Sequence, residues 1–191
     1  MSRAMKRLAC FAKRLVQPFA HFSADRRGVS AVEFALLLPL MVTLYLGTVE
    51  VSQGISVDRK VTMTARTVAD LISQVTTVNN SGMNDILNAS IAVMYPYSVS
   101  PLKVTVTEIY IDANNKATVV WSDGYNGSGR AVGSTVTVPS ALLIANSYLI
   151  WSEVQYGYKP TVGYIITGTL NLSDQLYMAP RLSTSVSRTA S

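Results

Sequence analysis

Residues 26–34 read Arg26-Arg27-Gly28-Val29-Ser30-Ala31-Val32-Glu33-Phe34, and they lead directly into an apolar run over residues 34–49, FALLLPLMVTLYLGTV. Those sixteen residues carry no formal charge. As a helix at ~1.5 Å per residue the run spans about 24 Å, short of the ~30 Å hydrocarbon core of a bilayer. Residues 29–32 in front and 51–57 behind supply the missing length. The reading is therefore a membrane helix over residues 29–57, with Glu33 and Glu50 near its two ends. A charge in such a segment is costly in lipid and calls for a partner. The competing reading, a buried core helix, does not explain why basic residues crowd one flank.

Working outward, the charge is uneven. The 191-residue chain has a formal charge of +5, yet residues 1–28 hold seven Lys/Arg against Asp25, while residues 29–191 hold nine against ten acids. The basicity belongs to the leader; no basic stripe for nucleic acid remains, so nucleic acid is not an expected partner. The leader precedes the apolar run, and the positive-inside tendency then puts the N-terminus in the cytoplasm and the C-terminal body outside it. A secretory signal carries its cleavage site after the apolar core. Here the small residue suited to a protease site, Gly28, stands before it, so cutting between Gly28 and Val29 leaves the helix on the mature chain. Pro39 lies inside the helix, removes one backbone donor, and predicts a kink that a membrane helix tolerates.

Beyond the apolar run, Val61, Ala65, Val68, Leu71, Ile72 and Val75 recur at helical spacing. They predict an amphipathic extension over residues 58–78 that lays an apolar stripe on a body at residues 79–191. Asn79-Asn80-Ser81-Gly82 reads as a loop, and residues 84–94 as a second helix stopping before Tyr95-Pro96. Residues 102–112 alternate as a strand, Asn114-Asn115-Lys116 make a turn, and residues 117–122 return as its hairpin partner. Residues 123–129 read as a loop, 140–145 as a short helix after Pro139, 147–158 as an aromatic-rich strand, and 181–188 as a further alternating segment. The expected fold class is α+β: a long N-terminal transmembrane helix packed on a small antiparallel sheet.

Several chemistries are excluded or unsupported. Cys10 and His21 are the only cysteine and histidine, and both lie in the leader, so the mature region offers no thiol or common zinc site. The acids of the body, Asp85, Glu108, Asp112, Asp123, Glu153 and Asp174, are scattered and form no hydrolase pair by spacing. The stretches beginning at Asp112 and Asp123 have some calcium-loop composition but lack its full spacing, and turn chemistry accounts for both. Trp121, Tyr148, Trp151, Tyr156, Tyr158 and Tyr164 would serve a partner or carbohydrate surface, or more simply strand packing. No cofactor, metal site or catalytic residue is expected, and the chain is not read as an enzyme.

Arg27-Gly28 followed by Ser30-Ala31-Val32-Glu33-Phe34-Ala35-Leu36-Leu37-Leu38-Pro39 closely resembles the start of TadE-like proteins, pseudopilins of the tight-adherence (Tad, Flp pilus) machinery of bacteria. Gly47-Thr48-Val49-Glu50 resembles the Gly-x-x-Glu that such proteins carry late in the segment. The resemblance covers about residues 26–70. It implies a pilin-like architecture and cleavage by a membrane-embedded prepilin peptidase between Gly28 and Val29. Glu33 is then the fifth mature residue, paired across subunits with a neighbour's new amine; Val29 departs from the phenylalanine or methionine of type IVa pilins at that place. The implied function is a minor pseudopilin of Tad/Flp-type pilus biogenesis in the inner membrane, assembling through its N-terminal helix. The implied partners are the peptidase, other Tad pseudopilins, the inner-membrane assembly platform and membrane lipid. The alternative is an uncleaved signal-anchored envelope protein whose outer domain binds a partner or glycan. Glu50 is expected at the membrane interface.

Overall fold

The structure, a computed structural model, describes residues 26–160, Gly163 and residues 167–190. Asp25 and the rest of the leader before it, with Cys10 and His21, lie outside the described residues, as does Tyr164. The chain divides into two compact units, residues 1–48 and 49–191. Helix α1, Arg26–Ser73, contributes to both.

In the first unit the described part is helix alone. Gly28 through Met41 are exposed without exception, and Leu36, Met41, Leu44 and Tyr45 are each more than 60% exposed. Leu, Met and Ala favour helix, and Thr43 and Thr48 fold their hydroxyls back onto the carbonyls of Pro39 and Leu44, both at 2.8 Å. At Thr43 the hydroxyl is a donor to the Pro39 carbonyl, and α1 runs through Pro39 unbroken. The most apolar eighteen-residue window has a mean hydropathy of 2.0 and none of it is buried. α1 is thus long and apolar enough to cross a membrane.

In the second unit the rest of α1 packs on a five-stranded antiparallel sheet of order β4-β3-β2-β5-β6. The strands are β2 Leu102–Ile111, β3 Ala117–Tyr125, β4 Thr135–Val136, β5 Ser147–Tyr158 and β6 Leu170–Met178. Val57, Val61, Ala65, Val68 and Ile72 of α1 share one core with Leu102, Val104, Val106, Ile150 and Val154. The stripe expected over the helix extension is therefore the core face, except that Leu71 and Val75 are only partly buried. It also begins earlier than expected, at Glu50, Gly54 and Val57, which continue the same helical period.

Alternation splits each central strand between two faces. Leu102, Val104, Val106 and Glu108 share the helix face, whereas Ile109 and Ile111 join Leu149 and Trp151 in a second cluster closed by Val136, Val138, Leu142 and Leu143. In β3 the switch of face is made by a bulge: adjacent Glu108 and Ile109 of β2 sit opposite Trp121 and Val119, leaving Val120 extra. The residue is what lets Trp121 enter the helix-side core while Val119 is buried on the other side.

Four expectations are corrected. Asn79–Gly82 is not a loop but a helix start: Asn79 accepts a 2.8 Å hydrogen bond from Gly82 N–H and caps α2, Asn80–Ile91, whose last turn tightens into a 3-10 turn at Ala92–Met94. β3 continues to Tyr125 rather than stopping at Ser122. Gly129 is needed beside it, since a Cβ there would stand 2.3 Å from the Ser122 carbonyl oxygen. The helix expected at 140–145 is one 3-10 turn, Ser140–Leu142. The last strand of the sheet is β6, not residues 181–188. Of the latter only Ser187–Arg188 pair, as β7, parallel to β1 at Thr77–Val78. The hairpin turn is as read: Asp112 Oδ1 accepts from the N–H of Asn114 and Lys116, both at 2.8 Å, and Asn115 takes φ 59°.

Residues 181–189 form a strap that closes the body. Arg181 N–H donates to Ser73 O at 2.9 Å, Ser187 N–H to Thr76 O at 3.0 Å and Thr189 N–H to Val78 O at 3.0 Å. Arg181 pairs with Asp70, and Arg188 with Asp123, both at 2.8 Å. Fully buried Val186 donates its N–H to Glu108 Oε1 at 2.6 Å and accepts from Trp121 Nε1 at 2.7 Å. Burial pushes the Glu108 carboxyl above its ordinary 4.5, against the hydrogen bonds from Val186 and Trp121. The folded value being the raised one, this group's contribution to stability is complete below 4.5 and is lost as pH climbs through the folded value. The thermal midpoint of the body should thus fall on that limb. Glu108→Gln, which keeps an acceptor without the charge, should flatten it; a pH–stability curve identical to wild type would refute the assignment.

Candidate functional site

The residues singled out for processing and assembly, Gly28, Val29, Glu33 and Pro39, all fall on the first turns of α1 and are exposed. Val29 and Glu33 are four apart, so one helical turn, about 6 Å along the axis, separates them on the same face. Gly28 sits in helical backbone, and a Cβ placed on it meets nothing within 4 Å. Its glycine identity is therefore not required by packing. A glycine inside a helix lowers stability by roughly 0.5–1 kcal/mol relative to alanine, which eases the local unwinding that any protease needs. No acid occupies the first turn of α1. The first acid along α1 is Glu33, ringed by exposed Val29, Val32, Phe34, Leu36 and Leu37.

Glu50 belongs to the covered part of α1. It is 0% exposed, on the face of α1 that the body covers. Tyr158 lies close enough to feel its charge, and the Tyr158 hydroxyl donates to Gln53 Oε1 at 3.4 Å. Burial first, then Tyr97 and Glu50, push the Tyr158 phenol above its ordinary 10.0. Gly54 gives the ring its seat, 3.8 Å from where a Cβ would stand. The sequence signal was present, since Glu50, Gly54, Val57 and Val61 lie on one helical face.

The aromatic residues proposed for a surface are mostly interior. Trp121, Trp151, Tyr156 and Tyr158 are buried; among the described members of the set only Tyr148 is half-exposed, tilted against Tyr110 with ring centroids 4.9 Å apart. Trp151 stacks on Tyr177 with centroids 5.3 Å apart, and the Arg130 guanidinium lies 3.9 Å from the centroid of the Trp151 ring, with Arg130 also paired to Glu153. Among the described residues no cluster of three or more His, Cys, Asp or Glu gathers to hold a metal. Glu108 was missed as a structural residue, although its place in step with Val104 and Val106 marks it as core-facing.

One helix long and apolar enough to span a membrane, joined to a small body with a helix-packed antiparallel sheet, makes this an α+β protein. Residues 28–70 match the family model described as TadE-like protein, the family that the residues around Gly28 and Glu33 resemble. A TadE-like segment carrying such a helix fits a Tad pilus-related protein. No curated protein and no solved structure matches the chain.

Proposed function

We propose that this chain is a minor pseudopilin of Tad/Flp-type pilus biogenesis. A prepilin peptidase cuts it between Gly28 and Val29 on the cytoplasmic side. The mature protein is held in the inner membrane by α1, with its body outside the cytoplasm, and assembles with other pseudopilins and the membrane platform through that helix. Its role is structural rather than catalytic. The observation that carries the reading is the TadE-like match at residues 28–70, which begins at Gly28 and takes in Glu33 and the exposed apolar sleeve around it. A sleeve of that kind is stable only in lipid or against other helices. The buried state of Trp121, Trp151, Tyr156 and Tyr158 supports a packing body over a glycan-binding one.

N-terminal sequencing of the membrane-extracted protein tests the proposal. The expected first residue is Val29. Recovery of intact Met1–Gly28 from cells with an active peptidase would overturn it in favour of an uncleaved anchor.

A further inference from the structure

The body has two distinct ends along its strands. At one end lie the β2–β3 turn around Asn115 and the end of β6 at Met178. At the other, Leu102 pairs with Tyr156 and Leu170 with Tyr158, and the 95–101 segment folds beneath them, with Gly157 N–H donating to Pro101 O at 3.4 Å. This second end is the one fastened to the earliest body-covered turn of α1. Tyr158 meets Gln53 and Gly54 there, and Tyr97 lies close enough to raise the phenols of both Tyr156 and Tyr158.

That turn is fixed relative to lipid by a simple length argument, which rests on the reading that α1 crosses a membrane. A bilayer's hydrocarbon cannot admit the backbone ends and polar side chains of a sheet. The body covers α1 from Glu50 onward, so the hydrocarbon must end by Val49. Residues 29–49 number twenty-one, which makes about 31 Å of helix against a core of ~30 Å. The span therefore closes at Val49 and not at residue 57. Gly54 is then about 7 Å further along the helix, within the headgroup layer that extends roughly 5–7 Å beyond the hydrocarbon.

The side chains at this end suit that layer. Tyr95 is 80% exposed and Leu170 41%, Tyr97 is half-buried, and Lys159 is exposed at the end of β5. Tyrosine with its apolar ring and polar hydroxyl, and lysine with an apolar stem and charged head, are the residue types that settle at membrane interfaces. We propose that the end of the body bearing Tyr95, Tyr97, Lys159 and Leu170 rests in the phospholipid headgroup layer and fixes how deeply α1 is held. Glu50, buried by the body, then marks the water-side limit of the hydrocarbon without being exposed to it.

Spin-label depth measurement on the full chain tests this. In a Cys10→Ser background, single cysteines are placed at Tyr45→Cys, Tyr95→Cys and Asn115→Cys, and the protein is reconstituted in vesicles of phosphatidylcholine and phosphatidylglycerol. All three side chains are exposed, so the substitutions remove no packing contact, and the left-handed φ of 59° at Asn115 confines any strain from cysteine to the turn. The expected result is a hydrocarbon depth at 45, a water-like label at 115, and a label at 95 with an oxygen-to-aqueous-nickel collision ratio several-fold above that at 115. A label at 95 indistinguishable from 115, with 45 still in hydrocarbon, overturns the docking proposal and leaves the membrane helix standing. A water-like label at 45 overturns both.

Discussion

Gly28→Ala leaves the protein as uncut precursor. Intact-mass analysis or immunoblotting of membrane extracts should show the chain about 28 residues longer than wild type, with the Val29-initiated product reduced tenfold or more, a margin of ~1.4 kcal/mol or greater in peptidase turnover. The prediction is unusually clean because nothing in the fold needs this glycine. A methyl group at position 28 meets no atom within 4 Å, so the substitution disturbs no contact. What it changes is the backbone: alanine firms the helix by roughly 0.5–1 kcal/mol relative to glycine, and it adds a side chain where the protease must close around an unwound strand. Both effects oppose cutting, and neither weakens the body. Normal processing of Gly28→Ala would remove Gly28 from the cleavage assignment.

Glu33→Gln and Glu33→Ala should both be cut normally yet fail to assemble. In the isolated chain Glu33 is exposed on an apolar sleeve. Packing that sleeve against other helices removes the carboxylate from water, a loss that must be offset by a cation. The new amine of a neighbouring Val29 is the cation the proposed cut supplies. Without the carboxylate that amine is left buried and unpaired, and association should weaken by roughly a hundredfold or more. Counting surface pili by electron microscopy reads the result. The two variants separate the steps: Gly28→Ala stops before cutting, and the Glu33 variants stop after it. Wild-type piliation in Glu33→Ala would favour the uncleaved, signal-anchored alternative.

The parts of the fold with strong periods were legible. Val61, Ala65, Val68 and Ile72 mark their core face through the 3.6-residue repeat, and β2 and β5 through β-branched and aromatic alternation. β6 was not. Asp174 interrupts the apolar side of Leu170, Leu172, Leu176 and Met178, and an edge strand needs only half of its backbone to pair. The start of α2 was hidden because Asn, Ser and Gly serve turns and helix caps equally well until the Asn79 side chain is seen to bond Gly82. The strap was read as a strand because Leu182, Val186 and Arg188 alternate, but its hold comes mostly from side chains in distant parts of the chain. At the candidate site the spacing of Gly28, Val29 and Glu33 was legible at once, because helical geometry follows from sequence alone. The burial of Glu50 was signalled by its place on one helical face with Gly54, Val57 and Val61, but its neighbour Tyr158, far along the chain, was not.

The strap also sets an order of events. A chain made from its N-terminus exposes α1 well before residues 181–189, yet those later residues bond to Ser73, Thr76, Val78 and Glu108. Until they arrive, the end of α1, β1 and the Glu108 carboxylate lack their final partners, so the core can collapse but not lock. Contacts that join residues about a hundred positions apart are the slow ones in folding. A chain lacking residues 181–189 leaves those groups without these partners, so its body should be cut faster in limited proteolysis than that of the full chain.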